Sequence, residues 1–230
     1  MLRAADYRER ARASLSGNWG MAVLVCFVGA LLGGIQSVIP VTANYQYGEG
    51  MSVQIFGINM SLNQLPAEML GILAVMMSIL SIYALAQFVI GGVVELGMCA
   101  YFSKRALGEN ADIKDEFAYF QYFGKALGLR IVTSIFIFLW TMLFIIPGLI
   151  ATYRYAMAPY ILADNPELTA RESLNESKRI MDGHKFDLFV LQLSFFWWYI
   201  LGSITFGIAY VYVIPYINAT TANFYNSIKE

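Results

Sequence analysis

Charge is what this chain has least of. Only 13% of its 230 residues are Asp, Glu, Lys or Arg, against roughly a quarter in an ordinary soluble domain. That is too little to wet the surface of a protein this size, so lipid is the expected solvent for much of it. The formal net charge of −1 supplies no basic field for phosphates, which argues against nucleic acid as a partner. Histidine is nearly absent: the one residue, His184, sits between Gly183 and Lys185 and reads as a solvated or capping side chain. Metal-ligand spacings, a Walker loop, a dinucleotide fingerprint and a nucleophile elbow are all missing. The expectation is therefore a non-enzyme with no cofactor, no metal and no catalytic residue. The two cysteines, Cys26 and Cys99, lie in or beside apolar segments and read as small buried hydrophobes rather than a disulfide.

Cations are missing from one stretch in particular. Residues 40–68 contain no Lys or Arg, only Glu49 and Glu68, while Pro40, Gly48-Glu49-Gly50 and Pro66 mark a loop. Within it, Val53 to Met60 reads as a short hairpin-like piece. Elsewhere the cations cluster in four places: the N-terminal tail, 103–130, 164–186 and Lys229, with Arg154 the exception. Membrane proteins keep Lys and Arg in short cytoplasmic segments. The cation-free loop is then the outer one, and both termini are cytoplasmic.

What is present in quantity is apolar sequence, 58% of the chain. Gly20–Ile39 is uncharged and long enough for about 30 Å of hydrocarbon. It is longer than a signal-peptide apolar core and reads as a retained helix. Its Gly29 and Gly33 form a G-x-x-x-G that permits close helix approach. Met69–Phe102 is apolar except for Glu95 and exceeds one perpendicular span, which predicts tilt, a bend at Gly91-Gly92 or continuation beyond the bilayer. Leu129–Leu162 reads as two short helices turning at Pro147-Gly148, because an even number of crossings must separate the two basic segments. Phe186–Tyr225 is again double length, with a turn between Gly202 and Gly207, and places Trp197 and Trp198 mid-span.

The fold expected is an all-α, polytopic membrane protein, a single integral domain over 1–230. Six transmembrane helices fall near 20–39, 72–100, 130–146, 149–163, 187–204 and 207–225, around the outer loop 40–68. Three cytoplasmic or interfacial helices complete it. At 2–15 Ala4, Tyr7, Ala11 and Leu15 share a face; 112–126 is aromatic-rich; 166–182 is polar, with Asn165, Pro166 and the Thr169/Glu172 pair as start signals and Gly183 as the stop. Ala170, Ser173, Leu174, Ser177 and Met181 form the narrow inner stripe of the last.

Ionisable groups at membrane depth are the candidate functional residues, since they are costly unless paired or used. Arg154, between Tyr153 and Tyr155, is placed away from the inner surface and should pair with Glu95, Asp164 or tyrosine hydroxyls. A structural ion pair and a substrate site are both open for Arg154 and Glu95.

Several stretches resemble a known family. Gly17-Asn18-Trp19-Gly20, Gly92–Gly97, Ile145-Ile146-Pro147-Gly148, the run Ala158-Pro159 through Asp164-Asn165-Pro166, and Ser177–Gly183-His184 look like the domain-of-unknown-function 975 family. That family comprises uncharacterised bacterial membrane proteins, mainly Gram-positive. The Pro147–Pro166 stretch carries the most specific part of the likeness. The Pro-Gly turn and the Ser-Lys…Gly-His stretch are also distantly similar to the membrane domain attached to some glycerophosphodiester phosphodiesterases, whose soluble catalytic domain this chain lacks. The resemblance implies a multi-pass protein of the bacterial plasma membrane and supplies no activity. Two roles fit: a non-enzymatic, lipid-associated envelope protein, or a small transporter or channel subunit using Arg154 and Glu95. Expected partners are membrane lipids, copies of the same chain or other membrane proteins.

Overall fold

A computed structural model describes residues 3–34, 41–46, 50–55, 58–61, 66–205 and 207–229. The chain divides into two compact units, Met1–Ile35 with Val89–Glu230, and Gln36–Phe88.

The smaller unit holds a three-stranded antiparallel sheet in the order β1-β2-β3, with β1 at Val41–Gln46, β2 at Gly50–Ile55 and β3 at Ile58–Ser61. Its β2–β3 hairpin pairs Ile55 with Ile58 and Val53 with Met60, on the piece expected to be hairpin-like. This sheet is the exception to an otherwise helical chain. Gly48 and Glu49, where a turn is expected, lie outside the described residues. α3 (Ala67–Ala106, 40 residues) begins here and displays apolar side chains such as Ile72, Ile79 and Ile82 on an exposed surface. The helix runs through Gly91-Gly92 without interruption.

In the larger unit, α1 (Ala4–Leu15) and α2 (Trp19–Leu32) meet at 101°, turning at Gly17, whose φ of 77° suits a residue without Cβ. The α1 stripe is buried at Tyr7, Ala11 and Leu15. What covers it is α11 (Tyr210–Ile228), not lipid: Tyr7 sets its ring edge-on to Phe224 at 5.5 Å and its hydroxyl lies 2.9 Å from Ser227 Oγ. Burying Tyr7 and Leu15 contributes on the order of 1.5–3 kcal/mol each. α2 ends at Leu32 with Gly33 at φ 84°, short of the expected Ile39; residues 35–39 lie outside the described part.

α4 (Ile113–Ala118), a 3-10 turn (Tyr119–Tyr122) and α5 (Phe123–Leu143) form a nearly continuous rod where a separate helix over 112–126 was expected. α5 and α6 (Ile145–Tyr155) make an antiparallel hairpin, since Phe136 stacks on Tyr155 at 6.0 Å. The break is at Phe144, an extended residue (φ −160°, ψ 148°), and not at Pro147-Gly148. Pro147 instead sits in the first turn of α6, where a missing N–H costs no hydrogen bond. Gly148 is needed for closeness: a Cβ there would come 2.8 Å from Thr141 Cα.

α7 (Ala158–Asp164) and α8 (Ala170–Ile180) follow. α8 starts later than Asn165-Pro166 implied, because Thr169 and Glu172 close a reciprocal capping box. Its inner stripe is buried at Ser173, Leu174, Ser177 and Met181. α9 (Lys185–Leu193) and α10 (Phe196–Ile204) lead into a second antiparallel hairpin with α11, in which Tyr199 pairs with Tyr210 and Phe195 with Tyr216. Trp197 is 75% exposed, while Trp198, partly exposed, sets its ring edge-on to Tyr216 at 6.0 Å.

Among the described residues three helices are long and apolar enough to cross a membrane, or up to four if the bent α1–α2 pair is one span. Buried residues gather in α1, the second half of α3, α7, α8 and the C-terminal half of α11. The exposed large hydrophobes gather in α2, the first half of α3, the α5–α6 tip and the α9–α11 region.

Candidate functional site

The polar groups of the larger unit tie helices to one another. Glycines on α3 bring three partners against its backbone. At Gly91 a Cβ would collide with the Gly33 carbonyl and the Arg130 guanidinium; at Gly92 it would meet Ala126 O at 3.1 Å; at Gly97 it would meet Glu116 Cα at 2.6 Å. Gly29 faces Met98 on the same helix, which gives the G-x-x-x-G its partner. Arg130, buried at the base of α5, donates from Nη1 to Gly33 O at 3.0 Å. Glu95 feels the field of Arg130. Glu95 is thus associated with a cation that sequence reasoning passed over. The available signal was spacing, since Ala126, Leu129 and Arg130 at i, i+3 and i+4 share one helical face and are buried together.

Arg154 occupies the last turn of α6, which is short because the hairpin breaks at Phe144. This places it beside α8 rather than deep in the apolar region. Ser177 Oγ donates to its carbonyl at 2.9 Å. The Asp182 carboxyl, exposed at the end of α8, is held below its ordinary range by the Lys185 ion pair at 2.9 Å, with Arg154 adding to that field. Glu172 is similarly lowered by hydrogen bonds from the Thr169 backbone and hydroxyl.

Asp164 joins α7 to α11. Its Oδ2 takes the Tyr225 hydroxyl and the Lys229 ammonium, both at 2.9 Å, while Tyr160 and Tyr225 stack at 5.2 Å. Tyr119 donates to the neighbouring Ala163 carbonyl at 3.0 Å. Pro159 lies in the first turn of α7. Asn165 closes that helix and accepts from Leu168 N at 3.1 Å, and the Pro166 carbonyl takes Lys125 Nζ at 2.6 Å. Further along, Gly183 has φ 82°, and His184 precedes α9 with Nδ1 3.4 Å from Asp187. At the N-terminal end Asn18 flanks α2 without a side-chain cap bond, and Trp19 sits 6.5 Å from the Tyr212 ring.

The model of the family described as Protein of unknown function (DUF975) matches residues 142–230. Over that stretch, less than half of the chain, the sequence is similar to that family. No curated protein and no solved structure matches the chain. The DUF975 stretch opens at the α5–α6 tip and takes in Pro147, Gly148, Arg154, the whole Asp164 cluster, Gly183 and His184. Asn18, Trp19 and the Gly92–Gly97 stretch with Glu95, which also carried the resemblance, lie outside it, as does Arg130.

One further group was not legible. Glu116 is fully buried on α4, and neither carboxylate oxygen has a hydrogen-bond partner among the described residues. In sequence it looks like its solvated neighbours Asp112 and Asp115. No group of three or more His, Cys, Asp or Glu side chains is placed to hold a metal among the described residues. Chemically, the arrangement is a set of clasps: α2–α3–α5 through Arg130, α6–α8 through Ser177, and α7–α11 through Asp164.

Proposed function

We propose that this chain is a non-enzymatic, multi-pass protein of the bacterial plasma membrane that acts through contact with lipid. One observation carries the reading. In the matched stretch Asp164 and Ser177 are used in holding helices together, α8 keeps its charged face outward, and the α5–α6 tip and the α9–α11 region leave large apolar side chains exposed. Asp164 is taken by Tyr225 and Lys229, and the Ser177 hydroxyl by the Arg154 carbonyl. Such a surface recruits acyl chains rather than a polar solute.

The orientation that goes with this reading puts the N-terminal helix, the 103–130 segment, α8 and Lys229 in the cytoplasm. Sequence arithmetic reaches it with six crossings, and any even count satisfies the charge rule. The second reading, a transporter or channel subunit, is favoured by Glu95 and Arg130 within apolar helices and by the two broken helix pairs. The purified chain is expected to retain phospholipid in native mass spectrometry and to give no solute flux in proteoliposomes. Substrate-specific flux that disappears with Glu95→Gln would establish the second reading instead.

A further inference from the structure

We infer that the α5–α6 and α10–α11 hairpins are re-entrant: each enters from the cytoplasmic side, turns within the hydrocarbon and leaves by the same side. Their partner is then the acyl chains of a single leaflet. This rests on the membrane reading above and gives it a depth.

The first observation is length. α6 has 11 residues and α10 has nine, so these limbs rise about 16 and 14 Å, roughly half of an apolar layer about 30 Å thick. α5 belongs to a helix long enough to cross, but Lys125 and Arg130 in it leave only residues 131–143 uncharged, about 20 Å, and the stretch of α11 before Tyr216 is shorter still. The second is the level at which charge begins. The α6 limb carries Arg154 in its last turn, and the Arg154 carbonyl accepts from Ser177 Oγ of α8, a helix that exposes Arg171 and Arg179, so the base of this limb meets water. The other hairpin is crossed by α1. Arg8 donates to the Ser194 carbonyl at 3.4 Å and Arg12 to the Tyr216 hydroxyl at 3.1 Å. α1 also exposes Arg3, Glu9 and Arg10, and a helix so charged is excluded from hydrocarbon. Only the residues between Ser194 and Tyr216 rise beyond it. Although α9 and α10 together are long enough to cross, the polar level cuts that run near its middle.

The third observation is the chemistry of the tips. Met142 through Ile146 offer no polar side chain, and Met142 and Ile145 are each 73% exposed. A turn emerging into the far headgroups would present these five residues to water. Within lipid these side chains need no cover, and part of the backbone at the turn is satisfied internally. Phe144 N donates to Trp140 O at 3.1 Å and Gly148 N to Phe144 O at 3.2 Å, while Pro147 has no N–H to satisfy. At the second tip Thr205 Oγ1 donates to Leu201 O at 2.9 Å and accepts from Ala209 N at 3.1 Å, between exposed Ile204 and Ile208. Re-entrant hairpins add no crossings, so the basic segments on either side of the first one stay on one face.

The test uses the full chain in its own membrane with single substitutions Phe144→Cys and Ile208→Cys, and Lys178→Cys as the orientation marker. The unsubstituted chain, with buried Cys26 and Cys99, sets the background. A membrane-impermeant maleimide is applied to intact cells and to inside-out vesicles. Both tips are expected to stay unlabelled from either side and to react once detergent dissolves the bilayer. In liposomes, a fluorophore on either tip is expected to be quenched several-fold more by a nitroxide near the acyl-chain end than by one on the headgroup. Labelling of a tip in intact cells, or stronger quenching from the headgroup, overturns the inference. Outside labelling of Lys178→Cys with protected tips would overturn the orientation, and with it the side of entry, but not the half-depth. Absence of retained lipid in mass spectrometry would count against the proposed role and leave the tip result unaffected.

Discussion

Gly97→Ala tests whether the α3–α4 contact is as close as the structure has it. The added Cβ would sit 2.6 Å from Glu116 Cα and 2.7 Å from Glu116 C. Carbon atoms pack best at about 3.5–4.0 Å, so α4 must retreat by about 1 Å. Those neighbours are backbone, which no rotamer change can move. Overpacking of this kind costs about 1–3 kcal/mol. It is offset in part by alanine's better helix propensity, about 1 kcal/mol over glycine. Gly71→Ala, in the same helix with nothing within 4 Å of the new Cβ, measures that offset alone. The assay is a heat ramp of detergent-purified protein followed by the fraction remaining monodisperse. Both variants are compared at one scan rate, because membrane-protein unfolding is read as a rate. Gly71→Ala should melt at or above the parent chain and Gly97→Ala clearly below it. Equal melting of the two would refute the close approach.

The remaining predictions use the same assay. Around Asp164, Asp164→Ala should cost most, Tyr225→Phe about 1 kcal/mol, and Lys229→Met least, because that ion pair is partly solvated; a Lys229→Met loss exceeding that of Asp164→Ala would contradict the ordering. Arg130→Leu should destabilise by about 3 kcal/mol by removing a buried guanidinium from Gly33 O and the field of Glu95, and adding Glu95→Leu should recover part of the loss. Thr169→Ala should cost about 1 kcal/mol through the lost α8 cap. The Glu172 half of that cap has a lowered carboxyl, so its contribution is present above the ordinary carboxylate range and is lost as pH falls through the depressed value; a Thr169→Ala penalty that grew in acid would be the wrong sign.

Periodicity was the best guide to which faces are buried. The stripes Tyr7-Ala11-Leu15 and Ser173-Leu174-Ser177-Met181 face inward because residues three and four apart share one side of a helix. What periodicity could not say was what lies opposite. Lipid was expected beneath α1, and α11 is there, since a stripe with alanine at its centre suits either surface. Breaks were found to within a few residues. Pro147 marks the hairpin, but proline is tolerated in a first turn, so the chain reverses at Phe144 and Arg154 ends up nearer the polar end than a turn at Gly148 would put it. Long-range pairing was the least legible. Arg130 looked like the edge of a cytoplasmic segment and Glu116 like one solvated acid among three, because burial of either depends on which helices come alongside.

α11 touches parts of the chain made long before it. It covers Tyr7 near the beginning through Phe224, exchanges two hydrogen bonds with Ser103 through Asn226, and reaches Asp164 through Tyr225. While the ribosome is still synthesising the middle of the protein, none of those surfaces has its cover. Those inner faces therefore stay open until the nineteen residues of α11 are made, and the unfinished chain is most open to misassembly in that interval.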